Sequence, residues 1–185
     1  YPKALAAVNA RQKQPPKLEK DVRRALEDKS VDALAIAAPD HWHALATIWA
    51  CQYGKHVYVE KPVSHNLIEG RKMIEAARKY NRIVQAGMQS HSLEYKRRAI
   101  ELLRQGAIGK VYQAKGLCFK RRKSIGHSPD GPVPAGVNYD LWLGPAPHAP
   151  YTKDSVYYTF SWLQAYSRGE ICDWGTPVSY THLTL

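Results

Sequence analysis

The chain has 185 residues, 44% hydrophobic and 23% charged, a balance typical of a globular protein with one domain and part of a second. Its longest apolar run is far shorter than the ~20 residues of a membrane-spanning helix. Its three cysteines form no Cys-x-x-Cys pair, which argues against a zinc site and a disulfide framework. The net charge is +11, but most of the basic residues are interspersed with acidic ones.

The first two-thirds of the chain alternates between short apolar runs and amphipathic segments. Apolar runs predict strands at 31–38, 56–60 and 82–88, and amphipathic segments predict helices at 1–14, from 21, from 40 to Gly54, at 67–80 and at 94–105. The run at 31–38 is continuous rather than alternating, which predicts a parallel strand covered on both faces. Strand and helix in regular alternation predict an open parallel sheet with right-handed crossovers.

Capping residues mark the predicted helix ends. Asp40 is expected to cap the helix that ends at Gly54, a residue suited to a left-handed C-cap. Asn66 with Glu69 three residues later predicts a capping pair at the start of the next helix, and Gly106 is expected to close the one after it.

The character of the chain changes after Gly109. Residues 111–119 predict a long strand, a Pro/Gly-rich stretch follows over 128–150, and aromatic residues are dense from 139 to 174. We therefore expect a first domain over 1–109 and a second domain over 110–177 that contains an antiparallel sheet. A non-native tail is expected at 178–185.

Polar residues follow each of the three predicted strands. These are Pro39-Asp40-His41-Trp42-His43, Glu60-Lys61-Pro62 and Gly87-Met88-Gln89-Ser90-His91. Ligands of open α/β sheets bind beyond the carboxyl ends of the strands, so the three segments predict a site at one edge of the sheet.

Lys61 is the first candidate for chemistry at this edge. It follows an apolar strand directly, and Pro62 fixes the backbone after it, so its side chain is expected to be aimed rather than free. Near a cationic ring, a lysine pKa falls, which suits proton transfer with a substrate hydroxyl or polarisation of a carbonyl. The alternative is an ordinary surface lysine.

The neighbouring candidates each have two interpretations. Glu60 is either a strand-end acid or a contact to a ribose hydroxyl. His43 is either a cofactor contact or a capping or core residue. Gln89 suits a carboxamide, but glutamine is common at strand ends.

The sequence resembles the Gfo/Idh/MocA family of oxidoreductases. The resemblance lies in the Pro-Asp-x-x-His turn at 39–43 and in residues 54–62, 81–87, 109–111 and 142–147. The resemblance implies an α/β fold: a Rossmann parallel sheet, here partial, followed by an α+β domain with an open, mostly antiparallel sheet. It implies hydride transfer between a sugar or polyol and NAD or NADP. Lys61 matches the family's catalytic lysine, and Asp173 matches the acid of its Asp-x-x-x-His motif. Pro39, His43, Glu60 and Gln89 match cofactor-lining positions.

The sequence departs from the family pattern at two places. It has no glycine-rich phosphate turn, and Pro177 stands where the family's general acid/base histidine is expected. Residues 178–185 resemble no family segment. We therefore expect a piece of a longer parent enzyme, itself inactive and a poor binder of cofactor, because the phosphate site and the base are missing.

Several alternatives stay open at this level. Related enzymes cleave glycosides by oxidation and elimination, and a catalytically dead member would act as a binding scaffold. Tyr139 and Trp142 either stack on a sugar ring or pin their loop to the core. We expect no metal, nucleic-acid or membrane partner, a homo-oligomeric parent (dimer or tetramer), and a cytoplasmic location, or a periplasmic one if an export signal lies upstream.

Overall fold

A computed structural model of the chain describes residues 2–115, 123–156, 158–169 and 172. Helices and strands alternate along its first part, and short helices follow. In chain order the elements are α1 (Pro2–Asn9), α2 (Val22–Glu27), β1 (Ala33–Ile36), α3 (Asp40–Gln52), β2 (His56–Glu60), α4 (Leu67–Lys79), β3 (Val84–Gly87), α5 (Gln89–Ser92), α6 (Glu94–Arg104), α7 (Tyr139–Leu143), α8 (Lys153–Val156) and a 3-10 helix (Tyr158–Trp162).

The three strands form a parallel sheet in the order β1-β2-β3. Ala33 pairs with His56 at one end, and Glu60 pairs with Gly87 at the other. The predicted parallel sheet is confirmed. Because all three strands run the same way, their carboxyl ends lie at one edge.

Most of the predicted caps are present. Gly54 and Gly106 have φ values of 74° and 80°, the left-handed region that a residue without Cβ adopts at little cost. The Asn66 side chain accepts a hydrogen bond from the Glu69 main-chain N–H and donates one to its carboxylate. The cap predicted at Asp40 is wrong: Pro39 is the N-cap, and Asp40 is the first helical residue.

The core lies between the sheet and the helices on one side of it. Val57 and Val59 of β2 are 3% and 1% exposed, and Leu26, Cys51 and Met73 are among the residues buried against them. The sequence predicted that β1 is covered on both faces. Within the described residues this is not found, since Ala33 and Ala35 of β1 are exposed. The core cluster draws instead on α2, α3 and α4.

The second part of the chain differs from its prediction. Val111 begins the segment 111–119 that was expected to be a strand, but residues 111–115 are exposed and not in a strand. A strand needs a partner for its main-chain groups, and in the described residues these five have none. Residues 116–119 lie outside the described part. Asp130 and Thr152 form an isolated antiparallel bridge.

None of the helices in the described ranges has the length and apolar character needed to cross a membrane.

Candidate active site

The ends of β2 and β3 are joined by a side-chain hydrogen bond. Gln89 Nε2 donates to Glu60 Oε2 at 2.8 Å, and the main-chain N–H of Lys61 lies 3.4 Å from the same oxygen. Glu60 is half-buried and Gln89 is exposed. Two of the predicted cofactor residues are therefore in direct contact, at the edge where the strand pattern located them.

Gly87 makes room for this carboxylate. A Cβ added to Gly87 would lie 2.9 Å from the Tyr58 hydroxyl, closer than real Cβ contacts, and 3.0 Å from Glu60 Oε2, closer than most of them. The glycine is needed for close approach, since its backbone does not have a positive φ. Any larger residue at the end of β3 would displace the Glu60 carboxylate or the Tyr58 ring.

His43 links the ends of β1 and β2. Its ring is 1% exposed, its Nδ1 lies 2.6 Å from the Pro62 carbonyl oxygen, and its Nε2 lies 2.8 Å from the Ala38 carbonyl oxygen. Both ring nitrogens therefore face the main chain. Of the two interpretations of His43, this geometry favours the core residue.

Lys61 lies in the chain between Glu60, which contacts Gln89, and Pro62, whose carbonyl contacts His43. It is half-buried, and the peptide bond to the buried Pro62 is cis. Pro39, the predicted cofactor-lining proline, is half-buried and is the N-cap of α3. The structure thus places Lys61 at the carboxyl edge of the sheet, between the Glu60 carboxylate and the loop that His43 contacts.

The start of α3 also holds the second part of the chain. His41 Nε2 lies 2.9 Å from the Trp142 carbonyl oxygen, and Trp42 Nε1 donates to the same oxygen at 3.0 Å. Asp40 accepts a hydrogen bond from the Ser167 hydroxyl. Sequence reasoning gave His41 and Trp42 no such role, because nothing in the local pattern indicates a partner about a hundred residues away.

The loop after Lys61 makes a second set of contacts with this part of the chain. His65 Nε2 lies 2.9 Å from the Gln164 carbonyl oxygen, and Arg168 Nε donates to the His65 carbonyl oxygen at 2.8 Å. Asp173, the second predicted catalytic residue, lies outside the described residues. Arg168, only a few positions before it, is nevertheless bound to the loop that carries Lys61.

Tyr139 and Trp142 belong to a cluster of rings. Tyr139 stacks on Trp142 with centroids 5.9 Å apart, and Tyr166 meets Trp142 edge-on at 4.7 Å. Burial, then the hydrogen bond with the Tyr139 hydroxyl, raises the pKa of Tyr166 to about 12. These ring contacts favour the interpretation in which Tyr139 and Trp142 pin their loop to the core.

His41 also belongs to this cluster. Its ring is 3% exposed and lies edge-on to Trp142 at 5.1 Å. Burial lowers the pKa of His41, outweighing the opposing effect of the Trp142 carbonyl. The contact of Nε2 with the Trp142 carbonyl places a proton on Nε2, since a carbonyl oxygen only accepts.

In the described part of the chain, no group of three or more His, Cys, Asp or Glu side chains is arranged to hold a metal ion.

Comparison with known proteins gives two family matches. The profile described as oxidoreductase family, NAD-binding Rossmann fold, matches residues 2–88. The profile described as oxidoreductase family, C-terminal alpha/beta domain, matches residues 106–181.

Individual relatives agree with these profiles. Myo-inositol 2-dehydrogenase of Thermotoga maritima is 32% identical over 52% of this chain and 29% of its own length. Levoglucosan dehydrogenase of Pseudarthrobacter phenanthrenivorans is 27% identical over 59% of this chain and 28% of its own. The crystal structure of an NAD-binding protein from Listeria innocua, 27% identical, superposes with a TM-score of 0.51 over 58% of this chain and 29% of that one.

The chain therefore spans less than a third of the length of these relatives. The motifs at the strand ends, the parallel sheet and the two profiles agree with one another. The chain belongs to the Gfo/Idh/MocA family of NAD-binding oxidoreductases.

Proposed function

We propose that the enzyme containing this chain transfers hydride between a hydroxyl-bearing carbon of a sugar or polyol and NAD or NADP. The observation that carries the proposal is the meeting of Glu60, Lys61 and Gln89 at the carboxyl edge of a parallel sheet. That edge is where open α/β sheets bind nucleotides. The relatives named as inositol and levoglucosan dehydrogenases support a sugar or polyol as the substrate.

The residues at this edge fit a nicotinamide cofactor. The Glu60 carboxylate suits a ribose hydroxyl and the exposed Gln89 amide suits a carboxamide, while Gly87 leaves space for the carboxylate to lie over the end of β3. Pro39 would line the same edge from the start of α3. When bound, the cofactor supplies the carbon that accepts or returns the hydride.

Lys61 is proposed to act on the substrate oxygen. In the oxidative direction the substrate carbon loses a hydride and its hydroxyl loses a proton, giving a carbonyl. The Lys61 ammonium would donate a hydrogen bond to this oxygen and stabilise the negative charge that develops as the proton leaves. Its half-buried position strengthens that interaction relative to one in open water.

The proton acceptor is proposed to come from the second part of the chain. In the parent enzyme, Asp173 would orient a histidine at position 177, where this sequence has Pro177. The Arg168 contact with the His65 carbonyl supports an approach of this segment to the Lys61 loop. We retain the domain limits 1–109 and 110–177 as part of the proposal.

The test uses the full-length parent enzyme with histidine at position 177. Changing Lys61→Met should lower kcat for sugar or polyol oxidation by about 10²- to 10⁴-fold, followed as nicotinamide absorbance. Lys72→Met is the matched control, because Lys72 is an exposed residue of α4 paired with Glu75. Equal activity of the two variants would contradict the role of Lys61, and a parent that binds no nicotinamide would contradict the function.

The 185-residue chain itself offers a second measurement. Without a glycine-rich turn to hold the pyrophosphate, and with Pro177 in place of a base, it should bind NADH poorly and catalyse no oxidation. Isothermal titration calorimetry measures the affinity directly. Micromolar binding of NADH would contradict this expectation.

A further inference from the structure

We infer that His43 is a positioning residue that holds the Lys61–Pro62 turn in place, rather than a group that binds the cofactor itself. The inference rests on the proposed function, because the residue it positions is the proposed catalytic lysine. It starts from the two ring contacts of His43, to the Pro62 carbonyl and the Ala38 carbonyl.

The direction of the ring nitrogens excludes a contact with a ligand in this arrangement. His43 is 1% exposed, and Nδ1 and Nε2 lie 2.6 Å and 2.8 Å from main-chain oxygens. Carbonyl oxygens only accept hydrogen bonds, so whichever ring nitrogen carries a proton donates it to a main-chain oxygen. Both nitrogens face main-chain oxygens, and an exposure of 1% leaves almost no ring surface for a ligand.

The two carbonyls belong to the two turns that flank the proposed site. Ala38 precedes Pro39 at the end of β1, and Pro62 directly follows Lys61 at the end of β2. Prolines lack the main-chain N–H that would otherwise anchor such turns. One imidazole on α3 therefore contacts the main chain of both turns.

The contact of His43 with the Pro62 carbonyl is the one that bears on Lys61. The Pro62 carbonyl is one residue beyond Lys61, so moving this carbonyl moves the backbone from which the lysine side chain extends. Small displacements of a catalytic group cost large factors in rate, about a hundredfold for 1 Å. We therefore expect loss of the His43 ring to lower kcat through Lys61.

The first experiment is a double-mutant cycle in the full-length enzyme. His43→Phe keeps a planar ring without donors and should lower kcat by about tenfold to a hundredfold, with little change in KM for the nicotinamide. His43→Gln should recover part of the rate, since its amide donates to one carbonyl. In a Lys61→Arg background, His43→Phe should have little further effect, because interacting residues are not additive.

Thr47→Val is the matched control one turn along α3. Thr47 is fully buried, and among the described residues its hydroxyl has no hydrogen-bond partner, so this change keeps the shape of the helix face. It should leave kcat and KM unchanged. Additive effects of His43→Phe and Lys61→Arg, or a rise in KM alone, would overturn the positioning role.

Ring-nitrogen NMR provides a measurement that needs no active variant. In ¹⁵N spectra of the full-length protein, assigned by the signal missing from His43→Gln, the His43 nitrogens should not shift when NADH saturates the enzyme. A shift of either nitrogen on NADH binding would show a direct contact and overturn the inference. An enzyme without nicotinamide-dependent turnover would instead contradict the proposed function.

Discussion

The sheet region, residues 22–104, and the aromatic region, residues 139–169, are held together by different forces. In the sheet region, main-chain ladders and a continuous apolar core fix each element, with Val59, Ala50 and Cys51 at or below 1% exposed. The aromatic region has short helices, ring contacts and hydrogen bonds to the start of α3. The aromatic region is thus attached to the sheet region through a few specific contacts.

The difference matters because the proposed site needs both regions. Glu60, Lys61 and Gln89 come from the region whose geometry is set by its own core. Asp173 would follow, a few positions later, the region that is attached through a few specific contacts. A mutation in the core should therefore affect both regions, and one at the contact surface should affect mainly the second.

The largest expected effect is that of Leu26→Ala. Leu26 is 1% exposed and belongs to the core cluster under the sheet, so its loss leaves a cavity there. We expect a decrease of about 3 kcal/mol in the free energy of unfolding, measured by urea denaturation with far-UV circular dichroism. A decrease below about 1 kcal/mol would show that the site collapses without cost and would weaken the contrast between the regions.

Gly144→Ala tests the contact surface. Gly144 has a φ of 48°, and an added Cβ would clash with the Trp42 ring, so the ring or α7 must move. We expect a loss of about 2 kcal/mol, seen as a tryptophan fluorescence transition that precedes the change in circular dichroism. Coincident transitions would mean that the two regions unfold as one unit.

Acidification should weaken the contact between the two regions at His41. Burial lowers the pKa of His41 from its usual value of 6.5, so the unfolded chain binds more protons than the folded one once the pH falls below that value. The contribution of His41 is thus present at neutral pH and lost on acidification. The midpoint of thermal unfolding should fall less steeply below pH 6.5 in His41→Gln than in the unchanged protein. Identical slopes would contradict this account.

The smallest effect is a gain in stability. The Thr47 hydroxyl is buried and, in the part of the chain that the structure describes, unpaired, so Thr47→Val removes a polar group that has lost its water without gaining a partner. We expect an increase of about 1 kcal/mol in the free energy of unfolding by urea. Cys51→Ala, in the same helix and core, provides a comparison in which a cavity lowers stability.

Local patterns were enough to locate the strand ends. Glu60 and Lys61 follow an apolar run, and Gln89 follows another, so a parallel sheet brings them to one edge whatever the details of packing. The Asn66–Glu69 cap was predictable for the same reason, because both residues lie within one helical turn.

Long-range contacts were beyond such patterns. His41 and Trp142 are 101 residues apart, and an aromatic-rich stretch does not indicate which ring or carbonyl it meets. The strand expected from Val111 fails over 111–115 because hydrophobicity indicates burial without indicating a partner strand. Asp40 was assigned as a cap from its residue type, but its carboxylate binds Ser167 instead.

The carbonyl of Trp142 accepts hydrogen bonds from two consecutive residues of α3, His41 and Trp42. A single bond would act as a pivot and leave α7 free to swing about it. Two donors from one rigid helix fix both the orientation of α7 and its distance from α3. Any opening between α3 and α7 must therefore break two hydrogen bonds rather than one.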